Sequence, residues 1–109
     1  MVKMRSIVTG GAGFIGSHLV DYLVKEKHEV IVLDNFSTGR AKNLNHVKEK
    51  IKIIECDISK KGDWYKYFKN TDYVFHLAAL ADIVPSIQYP KRYFDANVTG
   101  TFNIIEIIK

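Results

Sequence analysis

The chain has 109 residues, 47% of them apolar, enough for one compact domain and too few for two. Lysine and arginine number 16 against 12 aspartates and glutamates, and the resulting +4 is spread without any block of like charge, which falls short of a nucleic-acid-binding tail. With 26% charged residues, two prolines and seven glycines, the composition excludes a disordered or low-complexity polymer.

The first element is a short apolar run, Arg5 to Thr9, that stops at Gly10, Gly11 and Gly13. From Phe14 the apolar positions Phe14, Ile15, Leu19, Tyr22 and Leu23 recur at helical spacing, so this stretch reads as strand, tight turn and helix. His28 to Asp34 is a β-branched run ending in an acid. A continuously apolar strand of this kind is covered on both faces, as in a parallel sheet. Asn35 to Gly39 is a loop, Arg40 to Lys50 a short polar helix, and Ile51 to Cys56 a third strand ending at Asp57. Cys56 is the single cysteine. It has no disulfide partner and no Cys or His at metal-ligand spacing, which leaves neither a disulfide scaffold nor a metal site and points to the cytoplasm. Ser59 to Asn70 is a helical or turn segment with Trp64, Tyr65, Tyr67 and Phe68, and Asp72 to Leu77 is a fourth strand. A loop bearing Pro85 and Pro90 leads into one helix, Lys91 to Lys109, interrupted only by Gly100. No stretch reaches the ~18 apolar residues of a membrane span, and Met1 to Thr9 does not fit a signal peptide, so no membrane role is expected.

Strands alternating with helices predict an α/β fold, a Rossmann-like doubly wound parallel sheet with strand order 3-2-1-4. The fourth strand is then an edge, and the final Ile-Ile-Glu-Ile-Ile is too apolar to stand in water on one side. Further chain beyond residue 109 is therefore expected to cover it.

The turn Thr9-Gly10-Gly11-Ala12-Gly13-Phe14-Ile15-Gly16 satisfies GxGxxG through Gly11, Gly13 and Gly16, and GxxGxxG through Gly10, Gly13 and Gly16. It follows a predicted strand and opens a predicted helix. Asp34 comes 18 residues after Gly16, the context that a dinucleotide-binding turn demands. The first glycines supply backbone angles closed to other residues, Gly13 lets the chain approach a pyrophosphate, and Gly16 permits close packing of helix on strand. The amides of Phe14 and Ile15 point from a helix N-terminus, where the dipole favours an anion. Asp34, at the end of the second strand, is placed to accept from a ribose diol and to repel a 2′-phosphate. NAD is favoured, with Arg40 keeping NADP open.

These motifs resemble the extended short-chain dehydrogenase/reductases, and among them the NAD-dependent nucleotide-sugar epimerases and dehydratases of the UDP-glucose 4-epimerase type. The resemblance rests on Thr9 to Leu19 (TGGAGFIGSHL), Asp34 to Gly39 (DNFSTG), Asp57-Ile58, His76 to Ala79 (HLAA) and Asn97 to Thr101 (NVTGT), in the family's order and spacing. It implies that Asn35, Ser37, Thr38 and Gly39 wrap the adenosine ribose, and that Asp57 accepts from the adenine amino group while Ile58 packs on the ring. It further implies that Leu77, Ala78 and Ala79 form the floor under the second ribose. Asn97 is similar to an asparagine that kinks the last helix and serves the site, though an exposed polar helix residue has the same appearance. His76, ending an apolar strand, reads as a hydrogen-bonded structural histidine.

The family's proton-transfer apparatus, a Ser or Thr with Tyr-x-x-x-Lys, is expected after the next strand, beyond this chain. Tyr65 to Lys69 matches Tyr-x-x-x-Lys literally but falls between the third and fourth strands, out of reach of a nicotinamide. No catalytic residue is therefore assigned. The expectation is that residues 1–109 are the NAD-binding portion of a nucleotide-sugar epimerase, inactive alone, with the substrate-binding and catalytic portion absent. A dehydratase or reductase of the same superfamily, or a non-catalytic NAD-binding association module, are the alternatives. The resemblance also implies a homo-oligomer through the 91–109 helix, with Tyr93, Phe94, Val98, Phe102, Ile105 and Ile108 lining the contact.

Overall fold

The computed structural model describes residues 3–81 and 83–109. Met1 and Val2, within the stretch that does not fit a signal peptide, and Asp82, within the predicted proline-bearing loop, lie outside the described residues. Strands β1 (Arg5–Thr9), β2 (Glu29–Asp34), β3 (Ile51–Glu55) and β4 (Tyr73–His76) form one parallel sheet in the order β3-β2-β1-β4. This is the expected order. In β1 and β2 side chains alternate between the two faces. Val8, Val30 and Val32 join Val20 and Leu23 of helix α1 (Phe14–Lys25), together with Leu44 and Val47. Ile7, Ile31 and Leu33 join Ile58, Trp64, Phe68 and Ile104 on the opposite face. Both faces are covered, which is why these strands read as unbroken apolar runs, and each buried aliphatic side chain contributes about 1.5–3 kcal/mol.

The buried face of α1 is Gly16, Ser17, Val20 and Leu23. Phe14 and Ile15 are 79% and 71% exposed, and Tyr22 is exposed too, so the apolar periodicity reports only part of this helix's packing. Val20 and Leu23 join the sheet core, while Gly16 and Ser17, the rest of that face, give no hydropathy signal.

The connections correct several expectations. Within 40–50 the only helical turn is the 3-10 segment Ala41–Leu44, and within 59–70 it is the 3-10 segment Asp63–Phe68, anchored by Trp64 and Phe68. The predicted proline loop contains helix α2 (Ile83–Gln88), with Pro85 in its first turn, where no intrahelical N–H bond is lost. Pro90 opens α3 (Pro90–Phe94) at a first-turn position that suits its fixed φ. The last helix is not interrupted at Gly100, which is helical at φ −59°, ψ −47°. Its irregularity lies one turn earlier, a π-helical segment Asp95–Thr99, after which α4 (Gly100–Ile108) continues. Gly100 is a packing glycine, because a β-carbon there would stand 3.0 Å from Ile58 Cγ1. Asn103 Nδ2 also donates to the Ile58 carbonyl at 2.8 Å, so α4 pins the loop that follows β3. Among the described residues no helix is long and apolar enough to cross a membrane.

Candidate functional site

A cavity of about 600 Å³ opens at the carboxyl ends of the four strands, between the glycine turn, the 34–39 loop, residues 56–60, residues 77–81 and the π-helical segment. In a doubly wound sheet this is the end where ligands bind.

The turn has a different job for each glycine. Gly10 adopts φ +71°, donates to the Leu33 carbonyl at 2.8 Å, and would place a β-carbon 2.8 Å from the Ala78 nitrogen. Gly11 has no unusual φ. It is needed because its β-carbon would meet Val32 Cγ1 at 2.7 Å, and it does not line the cavity. Gly16 lies against the backbone of Gly10 and Gly11 rather than against the body of a strand. Gly13 differs from all three, since its nearest neighbour would be the Gly10 oxygen at 3.3 Å and its free side lines the cavity. It is also the N-cap of α1. No side chain caps that terminus and no acid occupies the first turn, so the leading amides, with Phe14 and Ile15 on the cavity wall, are not met by a protein anion.

Asp34 is 8% exposed, with Oδ2 accepting from the Ala12 amide at 3.0 Å and Oδ1 from Phe36 at 2.7 Å. One carboxylate thus ties the glycine turn to the following loop and still lines the cavity. Asn35, Ser37, Thr38 and Gly39 line it as well. Asn35 Oδ1 accepts from the Ser37 amide at 3.0 Å, and a β-carbon on Gly39 would stand 2.9 Å from Asp34 Oδ2. Arg40 is exposed and does not line the cavity; its amide donates to the Ala12 carbonyl.

On the far side of β2, Asp57 and Ile58 line the cavity, with Asp57 Oδ1 accepting from the Ser59 amide at 2.9 Å and hydroxyl at 2.6 Å. The neighbouring Cys56 thiol is pushed up to about 11, first by burial and then by the charges of Asp57 and Asp34. Leu77, Ala78 and Ala79 form part of the wall beyond β4. Asn97 does not reach the cavity. It donates to the Leu80 carbonyl and accepts from the Leu80 amide, both at 2.8 Å, and so holds the 77–81 segment from behind. His76 lies between two threonines, bonding Thr9 Oγ1 through Nδ1 at 2.7 Å and Thr101 Oγ1 through Nε2 at 2.8 Å, and burial lowers its pKa. Tyr65 and Lys69 lie outside the cavity lining, and Tyr65 packs edge-on against Trp64 with centroids 4.5 Å apart.

The cavity also gathers residues that sequence reasoning missed, notably Lys60, Arg92 and Asp95. No spacing could have found the last two, because their approach depends on how α3 crosses the strand ends. Among the described residues no group of three or more His, Cys, Asp or Glu could hold a metal ion.

A parallel sheet in this order, with a glycine turn opening α1 and an acid ending β2, defines a doubly wound nucleotide-binding fold. The chain matches the NAD dependent epimerase/dehydratase family over residues 6–109, and it belongs to that family. The UDP-N-acetylglucosamine 4-epimerase of Methanobrevibacter ruminantium, solved with UDP-N-acetylmuramic acid, is 41% identical with a TM-score of 0.87, over 98% of this chain and 34% of that one. The UDP-glucose 4-epimerase of Thermus thermophilus, solved with NAD, is 38% identical with a TM-score of 0.84, over 95% and 33%. A UDP-N-acetyl-alpha-D-glucosaminuronate decarboxylase of Bacillus cytotoxicus is 38% identical over 96% of this chain and 33% of its own length. The chain thus spans about a third of the length of these relatives.

Proposed function

We propose that residues 1–109 form the NAD-binding part of a cytoplasmic UDP-sugar epimerase of the UDP-glucose 4-epimerase type. The observation that carries this reading is the uncapped N-terminus of α1 beside the open face of Gly13 and the cavity-lining carboxylate of Asp34. The residues fit the cofactor. Gly10, Gly13 and Gly16 shape the turn, the amides of Phe14 and Ile15 face a diphosphate, and Asp34 with Asn35, Ser37, Thr38 and Gly39 surrounds an adenosine ribose. Asp57 and Ile58 take the adenine, and Leu77, Ala78 and Ala79 the second ribose. Asp34 favours NAD over NADP because its charge opposes a 2′-phosphate, while Arg40, outside the cavity lining, supplies no compensating cation. When bound, NAD supplies a reversible hydride acceptor for a sugar carbinol carbon.

In this reading the proton-transfer Tyr-x-x-x-Lys and the sugar pocket belong to the portion of the relatives that this chain does not span, and the exposed face of α3 to α4 joins a second subunit. The decarboxylase relative favours one second reading, the same cofactor site serving decarboxylation of a UDP-sugar acid. Calorimetric titration tests the cofactor assignment. NAD is expected to bind more tightly than NADP, with Gly13→Val abolishing binding. Unchanged NAD affinity in Gly13→Val and in Asp34→Ala would overturn the site.

A further inference from the structure

Thr9, His76 and Thr101 form a hydrogen-bond chain whose protons follow from the heavy atoms. Thr9 is fully buried at the end of β1. Its Oγ1 accepts from the Ala78 amide at 3.1 Å and from the Leu77 amide at 3.0 Å, the latter shared with the Thr9 carbonyl at 3.1 Å. A hydroxyl oxygen accepts through two lone pairs, so the Thr9 proton must go outward, to His76 Nδ1 at 2.7 Å. Nδ1 is therefore unprotonated, and the neutral ring carries its proton on Nε2. That nitrogen donates to Thr101 Oγ1 at 2.8 Å, and the Thr101 hydroxyl donates on to the Asn97 carbonyl at 2.7 Å. Run in the opposite direction, an Nδ1–H would point at an oxygen already filled, and the Thr9 proton would have no acceptor.

The two ends of this chain are the π-helical segment and the cavity wall. From the same segment the Asn97 side chain grips Leu80, so residues 77–80 are held at two separate points, from the π-helical segment and, through His76, from α4. The position of Ala78 matters beyond itself, because Gly10 packs on its backbone so closely that no β-carbon fits between them. We infer that His76 and Thr101 are positioning residues, locked in one tautomeric arrangement, that set the Leu77 and Ala78 peptides against the glycine turn and so shape the cofactor site from α4. The link to a cofactor rests on the NAD reading above.

The test uses the full chain, labelled with nitrogen-15. Long-range proton–nitrogen correlation at neutral pH is expected to show His76 with a pyrrole-like Nε2 and a pyridine-like Nδ1, and an Nδ1–H or doubly protonated ring would overturn the inference. Thr101→Val removes the acceptor for Nε2–H while keeping side-chain shape. It is expected to shift the Leu77 and Ala78 amide resonances and to weaken NAD by about three- to tenfold, the size of one lost hydrogen bond, with Thr101→Ser restoring both. Unmoved Leu77 and Ala78 amides in a folded Thr101→Val protein would also overturn it. Failure of the unmodified chain to bind NAD would defeat the cofactor reading alone, because the tautomer and amide measurements need no ligand.

Discussion

The Gly10 carbonyl occupies the space that a β-carbon on Gly16 would need, so the start of α1 and the glycine turn meet backbone to backbone. A β-carbon on Gly13, three residues away, would meet only the Gly10 oxygen, at the milder distance of 3.3 Å. The two positions should therefore fail differently. We predict that Gly16→Ala lowers stability by at least about 2 kcal/mol, since two backbone segments must separate, whereas Gly13→Val leaves stability within about 1 kcal/mol and removes NAD binding. Urea unfolding and calorimetry on both variants check this, and equal stability losses would contradict the division.

Asp34 has a structural duty beside its proposed role with the ribose. Removing it strands the Ala12 and Phe36 amides, so Asp34→Ala is predicted to lose about 1–3 kcal/mol of stability as well as about 1–3 kcal/mol of NAD binding. Thermal unfolding without ligand separates the two effects. A drop in affinity without a drop in stability would show that the turn stands without this carboxylate.

Cys56 is predicted to be a slow nucleophile. Its thiol is raised to about 11 from an ordinary 9.0, so alkylation by iodoacetamide should be slow at pH 8 and climb until about pH 11. Because the folded pKa is the higher one, Cys56 does not perturb stability below pH 9, and stability should fall as pH rises from 9 towards 11. Alkylation at the rate of an unfolded thiol at pH 8 would refute this.

His76 is predicted to make the fold acid-sensitive. Burial lowers its pKa from the ordinary 6.5, so the unfolded state binds the proton first. The stability of the neutral ring is present above 6.5 and is lost as pH falls through the lower native value. None of the ion pairs among the described residues involves this ring. The urea midpoint should fall more steeply on acidification for the unmodified protein than for His76→Gln, and parallel slopes would contradict the assignment.

Along α3 to α4 the side chains of Phe94, Val98, Phe102, Ile105 and Ile108 are all more than half exposed. Tyr93, expected in the same stripe, is only partly exposed. Contiguous apolar surface of this kind promotes association. Light scattering at tens of micromolar should find dimers or larger species, reduced to monomers by Phe102→Glu combined with Ile105→Lys. A stable monomer of the unmodified chain would refute it.

The alternation of strands and helices, the strand order, the glycine turn and the acid that ends β2 are all legible in the chain alone. All of these are written in local patterns: apolar runs, turn residues at fixed offsets, and one carboxylate a set distance from a turn. Where separate elements meet is set by packing between distant parts of the chain. Gly100 reads in sequence as a helix interruption, whereas in the fold it is the point where the helix passes Ile58. Half of the buried face of α1 is Gly16 and Ser17, and the need for a glycine at 16 is legible only against the Gly10 and Gly11 backbone it touches. Arg92 and Asp95 reach the cavity, Asn97 turns away from it to hold Leu80, and Thr9, His76 and Thr101 share one line of protons across β1, β4 and α4. Contacts between residues far apart in the chain are set by how helices cross the sheet, and single-chain periodicity carries no record of that crossing.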